Sequence, residues 1–290
     1  MKNISFIGLG NMGFEMAINL SKSGFNVIGF DINQEKYKQL EAKNVKCVSS
    51  IVETLNNPDV IISMLPDGKT VKNVWSQVVS LLNNSPLAID CSTVDIESSL
   101  FFHEINKKHN IQSLDAPVSG GVIGARNGSL TFMVGGNQND YNKAQELFNV
   151  MGNKNVLCGP VTSGQAIKIC NNMLLAVTMV GVAESFNLAE NLNVDMQKLF
   201  DVISTSSGSC WAVNNYCPVK GVGPISPVDS NFEPGFMSKL MHKDLSLAIA
   251  ASKDNNTNID FTKQTFEIFS KVIEDKKGEK DFSYIKEYLK

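Results

Sequence analysis

One stretch near the start of the chain restricts the fold more than any other. Ile4-Ser5-Phe6-Ile7 has the apolar run of a short strand and passes directly into Gly8-Leu9-Gly10-Asn11-Met12-Gly13. A helical pattern follows through Met16, Ala17, Leu20 and Ser21, Gly24 stops it, and Phe25-Asn26-Val27-Ile28-Gly29-Phe30-Asp31 reads as a second strand. Strand, glycine turn, helix and strand at this spacing make a βαβ unit. Gly8 permits the tight turn, Gly10 lets the backbone approach a pyrophosphate, and Gly13 lets the helix pack closely on the strand. The anion then faces the helix N-terminus, where N–H groups and the helix dipole favour negative charge. Such a turn alone is a weak signal. With a strand before it, a helix after it and an acid ending the next strand, it marks a dinucleotide site. Gly8, Leu9, Gly10, Asn11, Met12 and Gly13 are therefore candidate cofactor contacts. Asp31 lies 18 residues after Gly13. It can accept hydrogen bonds from the adenosine ribose hydroxyls, and its charge disfavours a 2′-phosphate that Ile32-Asn33 has no arginine to receive. The expected cofactor is NAD rather than NADP.

The alternation continues. A helix is expected over residues 34–43, and Asp59 to Leu65 is an apolar strand of the parallel-sheet kind, ended by Pro66. A helix runs through Val71, Val74, Val78 and Leu82, and Leu87 to Cys91 is a strand ending in Ser92-Thr93. A helix near residues 95–109 and strands at 130–136 and 155–160 follow. Ligands bind beyond the carboxyl ends of such strands, which makes Leu65, Pro66 and Thr93 candidates for the nicotinamide side, with simple loop chemistry as the alternative. Ser119-Gly120-Gly121 follows another strand and offers N–H groups and a hydroxyl to a carboxylate. Taken alone, such a tip is more often a turn than a site.

Ser163 reads as the N-cap of a long apolar helix that runs to about Leu192, a spine between domains or an oligomer contact. Beyond it the pattern is helical, apart from a Gly- and Pro-rich loop from Gly208 to Gly235, and a later helix contains Met241-His242-Lys243-Asp244-Leu245. The fold class expected is α/β: a Rossmann-type dinucleotide-binding domain over 1–162, then an all-α domain over 163–290 that begins with the long interdomain helix. A homodimer or homotetramer is the expected assembly. Lys168, Asn171 and Asn172 are three and four residues apart and share one face of that helix. A lysine among Ile167, Ile169, Met173, Leu174 and Leu175 is costly to bury without a partner. It either has a functional reason or snorkels at a domain edge.

Composition excludes several classes. The chain has 290 residues, 43% hydrophobic and 19% charged, with a net charge of -3, which fits two domains or one large one. It shows no basic patch, so nucleic acid is not an expected partner. Arg126 is the only arginine, which leaves no multi-arginine phosphate clamp. Cys47, Cys91, Cys158, Cys170, Cys210 and Cys217 are scattered without a CxxC pair, and the three histidines are scattered too, so reduced thiols and no metal site are expected. No apolar run is read as membrane-spanning, and no membrane partner is expected. The first strand starts within five residues of Met1, so no leader is expected within this chain. The bacterial cytoplasm fits, as does the mitochondrial matrix after removal of a transit peptide.

The phrases FIGLGNMG, DAPVSGG, LTFMVGG, GQAIKICNNML and MHKDLSLA, in this order over essentially the whole chain, resemble the β-hydroxyacid dehydrogenase family. SSGSCW followed by YCPVKGV is most similar to the members that act on 3-hydroxyisobutyrate. The resemblance implies NAD-dependent oxidation of 3-hydroxyisobutyrate, a small 3-hydroxy acid, to methylmalonate semialdehyde in valine breakdown. It implies that Lys168 matches the catalytic lysine and that Ser119, Gly120, Gly121 and Asn172 match substrate-binding positions. Lys243 matches a lysine near the cofactor, and Leu65, Pro66 and Thr93 match other cofactor contacts. Thr70 stands where close relatives often carry asparagine, which puts that contact in doubt, although threonine can still hydrogen-bond. In the chemistry so implied, the nicotinamide takes hydride from the alcohol carbon and Lys168 handles the hydroxyl proton. As a base the lysine must be neutral, so its apolar surroundings are expected to lower its pKa. Asn171 and Asn172 orient the amine or the substrate without adding charge. Tartronate semialdehyde reductase is the rival within the family, and a catalytically silent NAD-binding module is the rival from another class. A 6-phosphogluconate dehydrogenase is disfavoured by the single arginine and the short chain.

Overall fold

The computed structural model describes residues 2–290. β1 (Asn3–Ile7) leads through the glycine turn into α1 (Asn11–Lys22) and β2 (Asn26–Phe30). Then come α2 (Tyr37–Glu41), β3 (Lys46–Cys47), α3 (Ile51–Thr54), β4 (Val60–Ser63), α4 (Gly68–Leu81), β5 (Leu87–Asp90), α5 (Ile96–Lys108) and β6 (Gln112–Asp115). β7 (Val118–Ser119), α6 (Gly121–Asn127), β8 (Leu130–Gly135), α7 (Gln138–Met151) and β9 (Gly152–Gly159) complete one sheet, ordered β3-β2-β1-β4-β5-β6-β8-β7 with β9 on β8. The strands from β1 to β6 pair in parallel, β8 is antiparallel to β6 and β7, and β9 is parallel to β8. The order reverses at β1, which pairs β2 on one side and β4 on the other. Such a switch point opens a crevice beyond the carboxyl ends of the strands.

Alternation along each strand feeds two cores. Phe6, Ile62 and Ile89 enter one with Met16, Leu20, Phe132 and Phe148; Ile7, Ile61 and Ala88 enter the other with Trp75 and Phe102. A sheet covered on both faces has continuous apolar strands, which is why β4 and β5 were legible. α2 is shorter than the expected 34–43 helix. The Asp31 carboxylate takes the Asn33 N–H at 2.8 Å and the Asn33 side chain takes the Glu35 N–H at 3.0 Å. Side chains thus hold the backbone groups that a helix would use. β3, α3 and α6 are too short to show a period.

The helical part comprises α8 (Ser163–Asn191), α9 (Met196–Ile203), α10 (Trp211–Tyr216), α11 (Ser238–Asp254), α12 (Asp260–Glu274) and α13 (Ile285–Tyr288). Its own core holds Met179, Phe186, Met241, Leu245, Phe269 and Phe282. The 208–235 segment is not simply loop: it contains α10 and a 3-10 turn at Pro227–Ser230, closed by a Ser226/Asp229 capping box. The chain divides into two compact units, one ending at Lys168 and one spanning Ile169–Lys290, so the division falls inside α8.

The N-cap of α8 is Thr162, not Ser163. The Thr162 carbonyl accepts the first helical bond, from Ala166 N–H at 3.0 Å, at a φ of 72. The capping oxygens come from buried Asp115 on β6, which accepts from Thr162 N–H at 2.8 Å and Gln165 N–H at 3.0 Å. Contrary to the sequence reading, α8 is long and apolar enough, by length and composition alone, to cross a membrane, with a hydropathy of 1.6. It nevertheless carries Gln165, Lys168 and Asn172 buried, as a core helix can.

Gly164 in α8 lies so close to β8 that a Cβ would sit 2.3 Å from the Met133 carbonyl oxygen. At Gly181, further along the same helix, a Cβ would meet nothing within 4 Å. Gly164→Ala is expected to destabilise by about 1–3 kcal/mol, and Gly181→Ala to stabilise by about 0.5–1 kcal/mol. Urea midpoints should therefore move in opposite directions at unchanged slope.

Candidate active site

The glycine turn after β1 is built for close approach. Gly8 has a φ of 97, and a Cβ there would lie 2.3 Å from the Met64 carbonyl oxygen after β4. A Cβ on Gly13 would lie 1.9 Å from the Gly8 carbonyl oxygen, while one on Gly10 would meet nothing within 4 Å. Gly8 and Gly13 thus pack the turn and Gly10 faces open space. α1 starts at Asn11 with no side chain capping its N-terminus. Open space before uncapped N–H groups fits a dinucleotide pyrophosphate. Asp31 is tied to this turn, because its Oδ2 accepts Leu9 N–H at 2.6 Å. The sequence reading missed Lys36. Its ammonium donates to Asn11 Oδ1 at 2.7 Å and lies 5.4 Å from the centre of the Phe14 ring.

A buried polar chain supports the loops after β4 and β5. Leu65 N–H donates to Ser92 Oγ at 2.8 Å, and Ser92 Oγ donates to Asp90 Oδ1 at 2.6 Å. Ser63 Oγ donates to the same oxygen at 2.7 Å and accepts from Trp75 Nε1 at 3.0 Å. Burial pushes the Asp90 carboxyl above its usual range, the serine hydrogen bonds opposing the shift. Pro66 is exposed beside Leu65. Thr70 gives its N–H to the Asp67 cap of α4 at 2.8 Å. Thr93 is half-buried between Ser92 and Val94, whose backbones both bond the Gln165 side chain.

Ser119 ends β7, and Gly120 and Gly121 turn into α6 with φ values of 128 and 61. β7 lies beyond β8 from β6, away from the glycine turn in the strand order. Lys168 is buried on α8, one turn after Gln165. Within the helical unit, Asn171 Nδ2 donates to Asn172 Oδ1 at 3.0 Å, and Asn172 Nδ2 donates to buried Asp244. The Lys243 ammonium lies 3.1 Å from Asp244 Oδ1. Asp244 thus joins two candidate residues, and sequence reading passed over it. The signal was there: Met241, Asp244, Leu245 and Ala248 form the buried stripe of α11, and an aspartate on such a stripe calls for partners.

Residues 3–159 match a family model described as the NAD binding domain of 6-phosphogluconate dehydrogenase. Residues 162–289 match one described as NAD-binding of NADP-dependent 3-hydroxyisobutyrate dehydrogenase. A probable 3-hydroxyisobutyrate dehydrogenase of Mycobacterium bovis is 40% identical over 98% of this chain and 97% of its own length. The chain belongs to the 3-hydroxyisobutyrate dehydrogenase family. The mitochondrial 3-hydroxyisobutyrate dehydrogenase of Homo sapiens is 39% identical over 99% of this chain and 86% of its own length. A solved Mycobacterium tuberculosis 3-hydroxyisobutyrate dehydrogenase with L-serine superposes with a TM-score of 0.94 at 39% identity, covering 100% of this chain and 99% of that one. This family member is accordingly an oxidoreductase that binds an NAD-type dinucleotide through its Rossmann-type domain.

Asp90 supplies a test of the polar chain. A carboxyl whose pKa is raised by folding stabilises the fold below its unfolded value, and that contribution is lost as pH rises through the folded pKa. Asp90→Asn keeps an acceptor oxygen without the charge. Its stability relative to wild type is expected to rise with pH from about 4 upward and then level off. Urea unfolding of both proteins across that range measures it; a difference that stays flat would contradict the buried-acid assignment.

Proposed function

We propose that this protein oxidises 3-hydroxyisobutyrate to methylmalonate semialdehyde with NAD as acceptor, in valine breakdown, and that Lys168 is its proton-transfer group. The observation that carries the reading is the placement of Lys168. It is buried on α8, one turn after a first turn bonded to the loop at the carboxyl end of β5. The relatives' names supply the substrate, and the solved relative with L-serine adds that another 3-hydroxy carboxylate is held by this fold.

Bound NAD supplies the hydride acceptor. As hydride leaves the alcohol carbon, the hydroxyl proton passes to the Lys168 amine; in reverse, the ammonium protonates the aldehyde oxygen. Ser119, Gly120 and Gly121 receive the substrate carboxylate, and Asn171 and Asn172 orient the substrate or the amine. The Gly8–Gly13 turn takes the pyrophosphate, Asp31 the ribose hydroxyls, and Leu65, Pro66, Thr70, Thr93 and Lys243 the remaining cofactor contacts. Residues 1–162 and 163–290 are the working domains, in a homodimer or homotetramer. Relatives are both bacterial and mitochondrial, so the cytoplasm or the mitochondrial matrix suits this chain.

Lys168→Ala is expected to lower kcat/KM for 3-hydroxyisobutyrate by about 10²–10⁴ in a folded protein. Activity within about tenfold of wild type would remove the lysine from the chemistry. Asp31→Ala is expected to raise the NADP to NAD ratio of kcat/KM, and a wild-type enzyme that already prefers NADP would overturn the role given to Asp31.

A further inference from the structure

The Gln165 side chain is fully buried, and its amide brackets one residue. Its Nε2 donates to the Ser92 carbonyl at 2.7 Å, and its Oε1 accepts Val94 N–H at 3.2 Å. The residue between those two backbone groups is Thr93. The Gln165 N–H goes to Asp115 at 3.0 Å. Backbone and side chain of one residue therefore fix the start of α8 to β6 and to the loop after β5. Three residues on, Lys168 leaves the same helix. We propose that Gln165 is a positioning residue. It sets the distance and angle between the Thr93 segment, on the nicotinamide side, and the Lys168 amine. This rests on the roles given above to Lys168 and Thr93.

The amide suits this task. Bonding one carbonyl and one N–H needs a donor and an acceptor side by side, and an amide supplies both without charge. A buried glutamate would set a carboxylate oxygen against the Ser92 carbonyl, and an aliphatic side chain would leave both backbone groups unsatisfied. Displacements of about 1 Å in a reacting geometry can cost on the order of 10²-fold in rate.

The test is single-turnover NADH formation with 3-hydroxyisobutyrate in Gln165→Met, alongside NAD affinity and circular dichroism. The expected result is a folded protein with NAD affinity within about threefold of wild type and a single-turnover rate roughly 10- to 100-fold lower. A folded variant with a rate within about twofold of wild type would overturn the proposal. So would an equal loss of rate and NAD affinity, since the residue would then only hold the cofactor loop. Gln165→Glu keeps the question answerable if the methionine variant does not fold. A protonated glutamic acid restores both bonds, its O–H donating to Ser92 and its C=O accepting from Val94. Its rate relative to wild type at equal pH is expected to recover as pH falls from about 8 to about 5; a ratio that stays roughly 10- to 100-fold below wild type down to about pH 5 overturns the proposal. Lys168→Ala decides the role of the lysine separately. Full loss there, with a wild-type rate in Gln165→Met, removes only the role of Gln165.

Discussion

A carboxylate with no solvent exposure holds the first turn of the longest helix. Asp115 ends β6, and its oxygens accept from His103 Nε2 at 2.9 Å and from the Thr162 and Gln165 N–H groups at 2.8 and 3.0 Å. An isolated carboxylate in this setting would cost several kcal/mol. Here the positive end of a helix and three donors offset that cost. The other ring nitrogen, His103 Nδ1, lies 2.8 Å from the Ser113 hydroxyl, so both ring nitrogens have partners. Room for the carboxylate is made by glycine. A Cβ on Gly135 would lie 2.3 Å from Asp115 Oδ1, and one on Gly164 would lie 2.8 Å from Oδ2. Two glycines thus leave room for one side chain, and Gly164 also clears the Met133 carbonyl oxygen.

Asp90 stands beside Asp115 in the register of β5 and β6, yet its environment differs. Its donors are the Ser63 and Ser92 hydroxyls and, at 3.3 Å, Ser92 N–H, and burial outweighs them in pushing its carboxyl up. Hydroxyls suit this position because each both donates and accepts. Ser63 passes the bond on from Trp75, and Ser92 passes it on from Leu65. The carboxyl edge of the sheet is thus held by buried hydrogen bonds linking one loop to the next, and such networks specify a unique arrangement when every member is satisfied.

Where period and punctuation carried the information, the sequence was legible. The first βαβ unit, the apolar strands β4 and β5, and α4 and α5 follow from alternation, from helical spacing and from Pro66. α2 was overestimated because Asp31 and Asn33 spend their side chains on nearby N–H groups, which no periodicity records. The cap of α8 was misassigned to Ser163 for a different reason. Its true capping group comes from β6, 47 residues before Thr162, and a cap supplied from afar leaves no local signature. Lys168, Asn171 and Asn172 stood out by type and spacing. Asp244 and Gln165 did not, because a buried polar residue in a helix is recognised only by the groups it meets.

The charges around the glycine turn bear on the proposed cofactor choice. One family description names NADP, whereas the role proposed for Asp31, which directly follows β2, would disfavour a 2′-phosphate. Lys36 is the nearby cation, but it is spent on Asn11 and the Phe14 ring, at the start of α1. An ammonium there strengthens the positive end of the helix for a pyrophosphate common to both cofactors. The one guanidinium of the chain, on Arg126, pairs with Glu15 at 2.9 Å. The Asp31 carboxylate is already oriented by Leu9 N–H and Asn33 N–H. If Asp31 takes the ribose hydroxyls as proposed, a carboxylate so oriented favours NAD.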